Sequence, residues 1–208
     1  MQGSRIPDRL AATTLYRWHS SSPRRLLEPC TLSSHLEQTY SPRYCDAMVV
    51  FGIDPGSTVT GWGIVSQQRG RFALVDCGCV KTSSKSPIPT RLHAIHSGLV
   101  EALARHEVDA VAIEAIFRHK SSESALRLGQ ARGVALLAAA QAGHEPAEYN
   151  AMTVKRTVGA SGRADKHAVA RMVTALLGAA PPGPADITDA IAIAITHLAH
   201  ARNRLRSA

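Results

Sequence analysis

Three short apolar segments form the first regular part of the chain. Residues 48–54 read MVVFGID, an apolar run that a Pro-Gly pair ends, which is typical of a buried strand. Residues 60–67 and 71–82 have a similar strand-like composition, and the Arg-Gly pair between them is typical of a turn. Three consecutive strands with short connections predict an antiparallel meander.

Helical spacing of apolar residues follows the meander. Leu92, Ile95 and Leu99 recur at the period that predicts a helix over residues 89–107. The same reasoning predicts a strand at 109–117, an Ala/Leu-rich helix at 121–143, a weak strand at 145–150, a helix at 164–178, and a last helix that opens with Asp186 and Asp189. We therefore predict an α/β fold with a mixed five-stranded sheet: three antiparallel strands, then strands that alternate with helices, flanked by helices.

Residues 1–47 have a different character. They contain scattered Arg, Ser and Pro, no Lys, and no sustained apolar period. Acidic residues within the segment argue against a targeting peptide. We expect either a disordered extension or translated sequence upstream of a start at Met48, and we assign residues 48–208 to one domain.

Charge and cysteine usage narrow the class of protein. The formal net charge of +8 favours an anionic partner, nucleic acid above all. No apolar run reaches the length of a membrane span, so we expect no membrane partner. Cys77 and Cys79 alternate with Gly78 on a predicted strand, so we expect them to pack as small hydrophobic residues. With Cys30 and Cys45 they show no zinc-binding spacing. We expect a reducing, cytoplasmic protein.

Four carboxylates occupy positions that call for an explanation. Asp54 ends the first strand, Glu114 interrupts the apolar fourth strand, and Asp186 and Asp189 share one side of the last helix. Each alone has an ordinary structural role: a turn residue, half of an ion pair, or a helix cap. If the first and fourth strands are neighbours, all four come together, and such a cluster of oxygen ligands suits Mg²⁺ or Mn²⁺.

Four segments together resemble one family. GIDPGSTVTGWGIV, AIEAIF, ESALRLGQARGVA and ADITDAIAIAITH, in this order, are similar to the RuvC-type Holliday junction resolvases, which are crossover junction endodeoxyribonucleases with a ribonuclease H-like fold. The resemblance implies that Asp54, Glu114, Asp186 and Asp189 are catalytic and hold the metal. It also implies a homodimer that makes paired symmetric nicks in four-way DNA junctions during recombination and repair, with a junction-migration motor as partner. Phosphodiester hydrolysis of this kind favours two ions per active site.

Basic residues form a second candidate group. Lys155, Arg156, Arg163 and Lys166 surround a predicted Gly-containing loop, which is either a solvated loop or a phosphate-binding surface. The resemblance matches Lys155 and Lys166 to lysines that the family needs for cleavage.

The residues after Glu114 add candidate DNA contacts. Arg118 and Lys120 follow the fourth strand closely enough to reach the DNA backbone. Phe117 fits a core position by itself, whereas the resemblance implies that it stacks on bases at the open junction.

Other interpretations stay open at this point. GIDPGSTVTG also resembles the phosphate-binding loop of actin-like and sugar-kinase ATPases, which usually pair two such domains and lack the late aspartate pair. A related nuclease that acts on RNA is a second alternative. The pairs His93/His96 and His197/His200 have zinc-compatible spacing, but no further ligand lies near, so we favour structural roles for them.

Overall fold

The computed structural model describes residues 48–115, 122–159 and 166–207, except for the side chains of residues 166 and 203–207. The strands are β1 (Met48–Asp54), β2 (Val59–Gln68), β3 (Arg71–Lys81), β4 (Ala110–Glu114) and β5 (Ala147–Tyr149). The helices are α1 (Ile88–Ala104), α2 (Ser122–Gln141), α3 (Ala151–Thr157), α4 (Lys166–Leu177) and α5 (Ala185–Ser207). The segment 1–47, for which we predicted an extension, lies outside the described residues.

The five strands form one mixed sheet in the order β3-β2-β1-β4-β5. β1 pairs antiparallel with β2, and β2 with β3, which confirms the predicted meander. β4 lies parallel to β1 on the other side, and β5 lies parallel to β4. The prediction of a mixed five-stranded sheet is confirmed.

Alternation along β1 divides the core into two layers. Val50 packs on one face of the sheet with apolar residues of α3, α4 and α5. Phe51 and Ile53 pack on the other face with residues of α1 and α2. Helices therefore cover both faces, as a strand with buried residues at successive positions requires.

Helix α5 lies directly on the backbone of the sheet. A Cβ atom at Gly52 would lie 2.1 Å from the carbonyl oxygen of Ala190, and one at Gly61 would lie 2.1 Å from that of Asp186. No side chain fits at either place, so glycine permits the close approach of helix and strands. This contact places the start of α5 beside the end of β1 and the start of β2.

A short helix that the sequence pattern did not predict precedes the Gly-containing segment of the predicted basic loop. Residues 151–157 form α3, because the Asn150 side chain caps the helix by accepting a hydrogen bond of 2.8 Å from the Thr153 amide. Lys155 and Arg156 therefore lie on a helix. Asn150 was the one residue in the sequence that indicated a helix start here. The basic and Gly-containing residues that follow it favoured a loop instead.

Two further expectations concern burial and membranes. Cys77 and Cys79 are free and buried, which confirms that they pack as small hydrophobic residues. Within the described segments, no helix combines the length and apolar character needed to cross a membrane.

Candidate active site

Three carboxylates and one lysine line a single pocket. Asp54, Glu114, Asp189 and Lys155 contribute to the wall of a pocket of about 300 Å³, and all four are half-buried. The apolar remainder of the wall is Ala151, Val154, Val169 and Ile193. The wall of the pocket thus combines carboxylate oxygens and a lysine ammonium group with apolar side chains.

Strand pairing explains how two of the carboxylates meet. Ile53 is in register with Ile113 in the parallel β1–β4 pair, so the next residue of each strand, Asp54 and Glu114, lies at the same edge. Both share the face of the sheet that α5 covers, because side chains two residues apart point the same way and Ala112 packs on that face. The expectation that the first and fourth strands are neighbours is confirmed.

The helices supply the other two charged groups. Asp189 lies in the second turn of α5, which rests on β1. Lys155 lies on α3, which follows β5 after one residue. Since Tyr149 of β5 is in register with Glu114, α3 begins beside the end of β4 and brings Lys155 to the pocket.

Asp186 is in a different position from the other three carboxylates. It lies in the first turn of α5 but is not among the residues that line the pocket. Its negative charge acts on Cys79 of β3. The pKa of this thiol is raised, chiefly by burial and also by Asp186, while Lys81 lowers it. A catalytic or metal-binding role for Asp186 stays a prediction.

The remaining predicted DNA contacts are only partly described. Arg156 is exposed on α3. Lys166 is the first residue of α4, and its side chain is outside the description. Phe117, Arg118, Lys120 and Arg163 lie outside the described residues.

The donor types in the pocket fit a hard divalent cation. Carboxylate oxygens from three separate elements are the ligands that Mg²⁺ and Mn²⁺ prefer. In residues 48–115, 122–159 and 166–207, no group of three or more His, Cys, Asp or Glu side chains is gathered in a metal-holding arrangement. The pocket therefore has the ligand types that a divalent cation prefers, at one place in the fold, although the described side chains do not form a finished set of ligands.

His96, His197 and His200 have structural contacts. His96 Nε2 lies 2.7 Å from Gln141 Oε1, which joins α1 to α2. His197 Nδ1 lies 3.1 Å from the Tyr149 hydroxyl, and the His200 ring packs on Tyr149. These contacts support the structural roles that we favoured for these histidines over zinc binding.

Sequence reasoning missed a buried arginine near the site. Arg91 is 3% exposed in the first turns of α1 and contacts the β1–β2 connection that follows Asp54. The signal was its spacing, since Arg91 shares the buried stripe of Ile95 and Leu99.

Over residues 50–197 the sequence matches the family described as Crossover junction endodeoxyribonuclease RuvC. The chain belongs to this family. It is therefore a crossover junction endodeoxyribonuclease, and the resemblance inferred from four sequence segments is confirmed. Membership favours the nuclease prediction over the actin-like ATPase alternative.

Individual RuvC proteins are similar over almost their whole length. The protein from Pelotomaculum thermopropionicum is 46% identical over 154 residues, which cover 74% of this chain and 94% of that protein. The protein from Pelobacter propionicus is 46% identical over 160 residues, which cover 77% of this chain and 90% of that one. The shared part is the domain that contains the pocket.

Solved structures agree with the fold. T. thermophilus RuvC in complex with Holliday junction substrate has a TM-score of 0.68 and 39% identity, covering 75% of this chain and 96% of that chain. A yeast mitochondrial Holliday junction resolvase has a TM-score of 0.55 at 12% identity, covering 80% and 88%, and shows the fold alone. The predicted ribonuclease H-like fold of the RuvC type is confirmed.

Proposed function

We propose that this chain resolves four-way DNA junctions by paired symmetric nicks, and that the pocket between β1, β4, α3 and α5 is its hydrolytic site. One observation carries the proposal: in a member of the RuvC family, Asp54, Glu114 and Asp189 from three separate elements line one pocket with Lys155. The similar T. thermophilus RuvC has been solved in complex with Holliday junction substrate. Junction DNA is therefore the substrate to test.

We assign Mg²⁺ or Mn²⁺ to this pocket, with two ions per site. Asp54, Glu114 and Asp189 would hold the metal as carboxylate ligands, with Asp186 as the fourth acidic residue from the start of α5. When bound, such ions lower the pKa of the attacking water and offset charge on the leaving oxygen. In this scheme the acidic residues would bind and position the metal ions, and none of them would be the nucleophile.

Lys155 has a different task in this scheme. Its ammonium group shares the pocket with three carboxylates, so it is placed to oppose the charge that develops on the scissile phosphate. Arg156, exposed on the same helix, is placed to contact a neighbouring phosphate. We extend the same phosphate-binding role to Arg118, Lys120, Arg163 and Lys166, and base stacking to Phe117.

We also propose a homodimer that uses helix α2. The alanines of this helix that are buried, Ala131, Ala135, Ala138 and Ala139, belong to the core layer that α1 and α2 form, so intramolecular packing accounts for their size. Leu126 and Leu137 instead are 63% and 51% exposed on the same helix. A second copy that covers these leucines would give a two-fold dimer with one site for each of two symmetric nicks.

The cellular setting follows from the substrate. An enzyme that cuts recombining DNA must share a compartment with the chromosome, so we propose a cytoplasmic location and a junction-migration motor as its partner.

The test incubates the full chain and Mg²⁺ with a synthetic four-way junction, a linear duplex of the same sequence and a matched RNA. We expect paired symmetric nicks in the junction alone, and none once EDTA removes the metal. Cleavage of RNA or of the linear duplex at a similar rate would contradict junction selectivity and favour the alternative of a more general nuclease.

A further inference from the structure

Arg91 is a charged side chain in a place where charge is costly. It is 3% exposed, and it lies in the first turns of α1, where the helix dipole disfavours a cation. In the described part of the chain, no carboxylate forms an ion pair with it. A buried cation without a carboxylate partner needs strong hydrogen-bond acceptors and a reason to be there.

The two acceptors of Arg91 are a backbone carbonyl and a hydroxyl that is itself bonded to that carbonyl. Its guanidinium donates to the Ser57 carbonyl oxygen, and its Nε donates to Thr82 Oγ1 at 3.3 Å. The Thr82 hydroxyl itself donates to the same Ser57 carbonyl at 2.8 Å, and the Thr82 amide donates to the Thr58 carbonyl at 2.8 Å. Arg91 of α1 and Thr82, which follows β3, therefore fix the backbone of Ser57 and Thr58 by hydrogen bonds.

Ser57 and Thr58 belong to the connection that begins directly after Asp54. A local hydrogen bond also stabilises this β1–β2 connection, because Thr60 Oγ1 donates to the Gly56 carbonyl at 2.8 Å. No side chain fits at Gly56, where a Cβ would lie 2.0 Å from the Val59 carbonyl oxygen. The connection has one tightly packed shape, and Arg91 is the long side chain that ties it to α1.

We infer that Arg91 is a positioning residue, which holds the β1–β2 connection so that Asp54 presents its carboxylate to the pocket. The inference rests on the proposed function, in which Asp54 is a metal ligand. Arginine suits the task because its planar guanidinium holds several donors in a fixed geometry, whereas a lysine ammonium is a single flexible point. Arg91 touches neither substrate nor metal in this account.

The experiment compares Arg91→Met, Arg91→Lys, Thr82→Val and Thr82→Ser with the wild-type chain. Each is assayed for junction affinity without metal, for single-turnover cleavage over a range of Mg²⁺, and for the rise in Tm that Mn²⁺ causes. The matched control is Arg105→Met, which removes an arginine from the other end of α1, where it pairs with exposed Glu101. All rates are expressed per folded molecule.

We expect Arg91→Met to cut about tenfold more slowly at subsaturating Mg²⁺, less than the roughly hundredfold that a displacement of about 1 Å can cost. Its Tm should rise less with Mn²⁺, because weaker binding stabilises less. Junction affinity should be unchanged, and Arg91→Lys should lie between Arg91→Met and wild type. Thr82→Val loses both hydrogen bonds of the hydroxyl, to Ser57 and to Arg91, and should cut roughly threefold more slowly, whereas Thr82→Ser should restore the rate.

A purely structural role gives a different result. Arg91→Met and Thr82→Val would then lower Tm but keep the wild-type Mg²⁺ dependence and Mn²⁺ response, which would overturn the inference. If Arg91→Met does not fold, the Thr82→Val and Thr82→Ser pair decides in the same way. If the wild-type chain fails to cut junctions, the proposed function fails, while the Mn²⁺ response still tests Arg91.

Discussion

The two faces of the sheet are packed by different means. On the face of α1 and α2, large side chains such as Phe51, Trp62 and Ile113 fill the space between sheet and helices. On the face of α5, glycines of β1 and β2 let the helix backbone contact the strand backbone. The carboxylate pocket is on the second face.

The difference has a consequence for function. Side chains can change rotamer or shift when a neighbour changes, whereas two backbones in contact have little freedom to adjust. A helix fixed by backbone contact therefore sets the position of Asp189 relative to Asp54 more strictly than side-chain packing would. We expect the α5 face to tolerate little change and the α1/α2 face to tolerate more.

The largest expected effect removes a charge from the α5 face. Asp189→Asn keeps the shape of the side chain but removes one anionic group from the pocket. If Asp189 is a metal ligand, single-turnover cleavage should fall roughly a hundredfold to a thousandfold, the loss typical of one preorganised electrostatic group. Junction affinity, measured on the same preparation, should hold or rise because a charge that repels phosphate is gone.

Asp186→Asn is the matched comparison for this variant. As a helix cap, Asn replaces Asp with little loss, so a purely capping residue should show nearly wild-type cleavage and stability. Near wild-type cleavage by Asp189→Asn with tight binding would contradict its metal role. The proposed metal role of Asp186 instead predicts a loss in Asp186→Asn similar to that in Asp189→Asn, although Asp186 lies outside the pocket wall.

The second effect tests the backbone contact itself. Gly52→Ala places a methyl group where the Ala190 carbonyl oxygen already lies, so α5 must move. We expect a loss of stability of about 1–3 kcal/mol or more, as overpacking typically gives, and slower cleavage per folded molecule. Chemical denaturation and single-turnover cleavage measure the two effects.

Ile95→Val is the control on the opposite face. Ile95 is buried in α1 against the sheet, and the loss of one methylene there should cost about 0.5–1.5 kcal/mol. Its cleavage rate per folded molecule should match wild type. Equal rates in Gly52→Ala and wild type would break the comparison between the faces.

Sequence patterns predicted the sheet better than they predicted the site. The limits of β1 and the meander followed from apolar runs and turn residues, because these signals are local. That Asp54 and Glu114 meet depended on the parallel β1–β4 pairing, which the residues alone left conditional. The family resemblance supplied the residues, and strand register explains why these two are neighbours.

Two features escaped prediction for different reasons. α3 is a single short helix, marked in the sequence only by its Asn150 cap, and its residues looked like part of a basic loop. The role of Arg91 depends on Ser57, a residue 34 positions away. The spacing of residues within α1 predicts that Arg91 is buried, but it does not predict that Arg91 binds the Ser57 carbonyl.

A smaller effect concerns a thiol on the α5 face. Burial, and then the charges of Asp76 and Cys79, raise the pKa of Cys77 from its ordinary 9.0 to about 12. The folded chain holds this proton more tightly than the unfolded chain, so the stabilisation is complete below pH 9.0 and is lost as the pH rises toward about 12. Wild-type Tm should therefore fall more steeply than that of Cys77→Ala above pH 9.0. Parallel pH profiles of the two proteins would show that the thiol does not contribute.

The smallest expected effect concerns the segment before β1. The regular strand and helix pattern begins at Met48, and described residues from there onward form a core layer on each face, so a chain that begins at Met48 should unfold and cut junctions like the full chain. Its first strand is tied at Val49, whose amide donates to Asp109 Oδ2 at 2.7 Å and whose carbonyl accepts from the Asp109 amide at 2.8 Å. A chain that begins at Phe51 loses both bonds and buried Val50, and should be measurably less stable in chemical denaturation. If the Met48 chain instead loses as much stability as the Phe51 chain, then residues 1–47 contribute to the fold, and the domain does not begin at Met48.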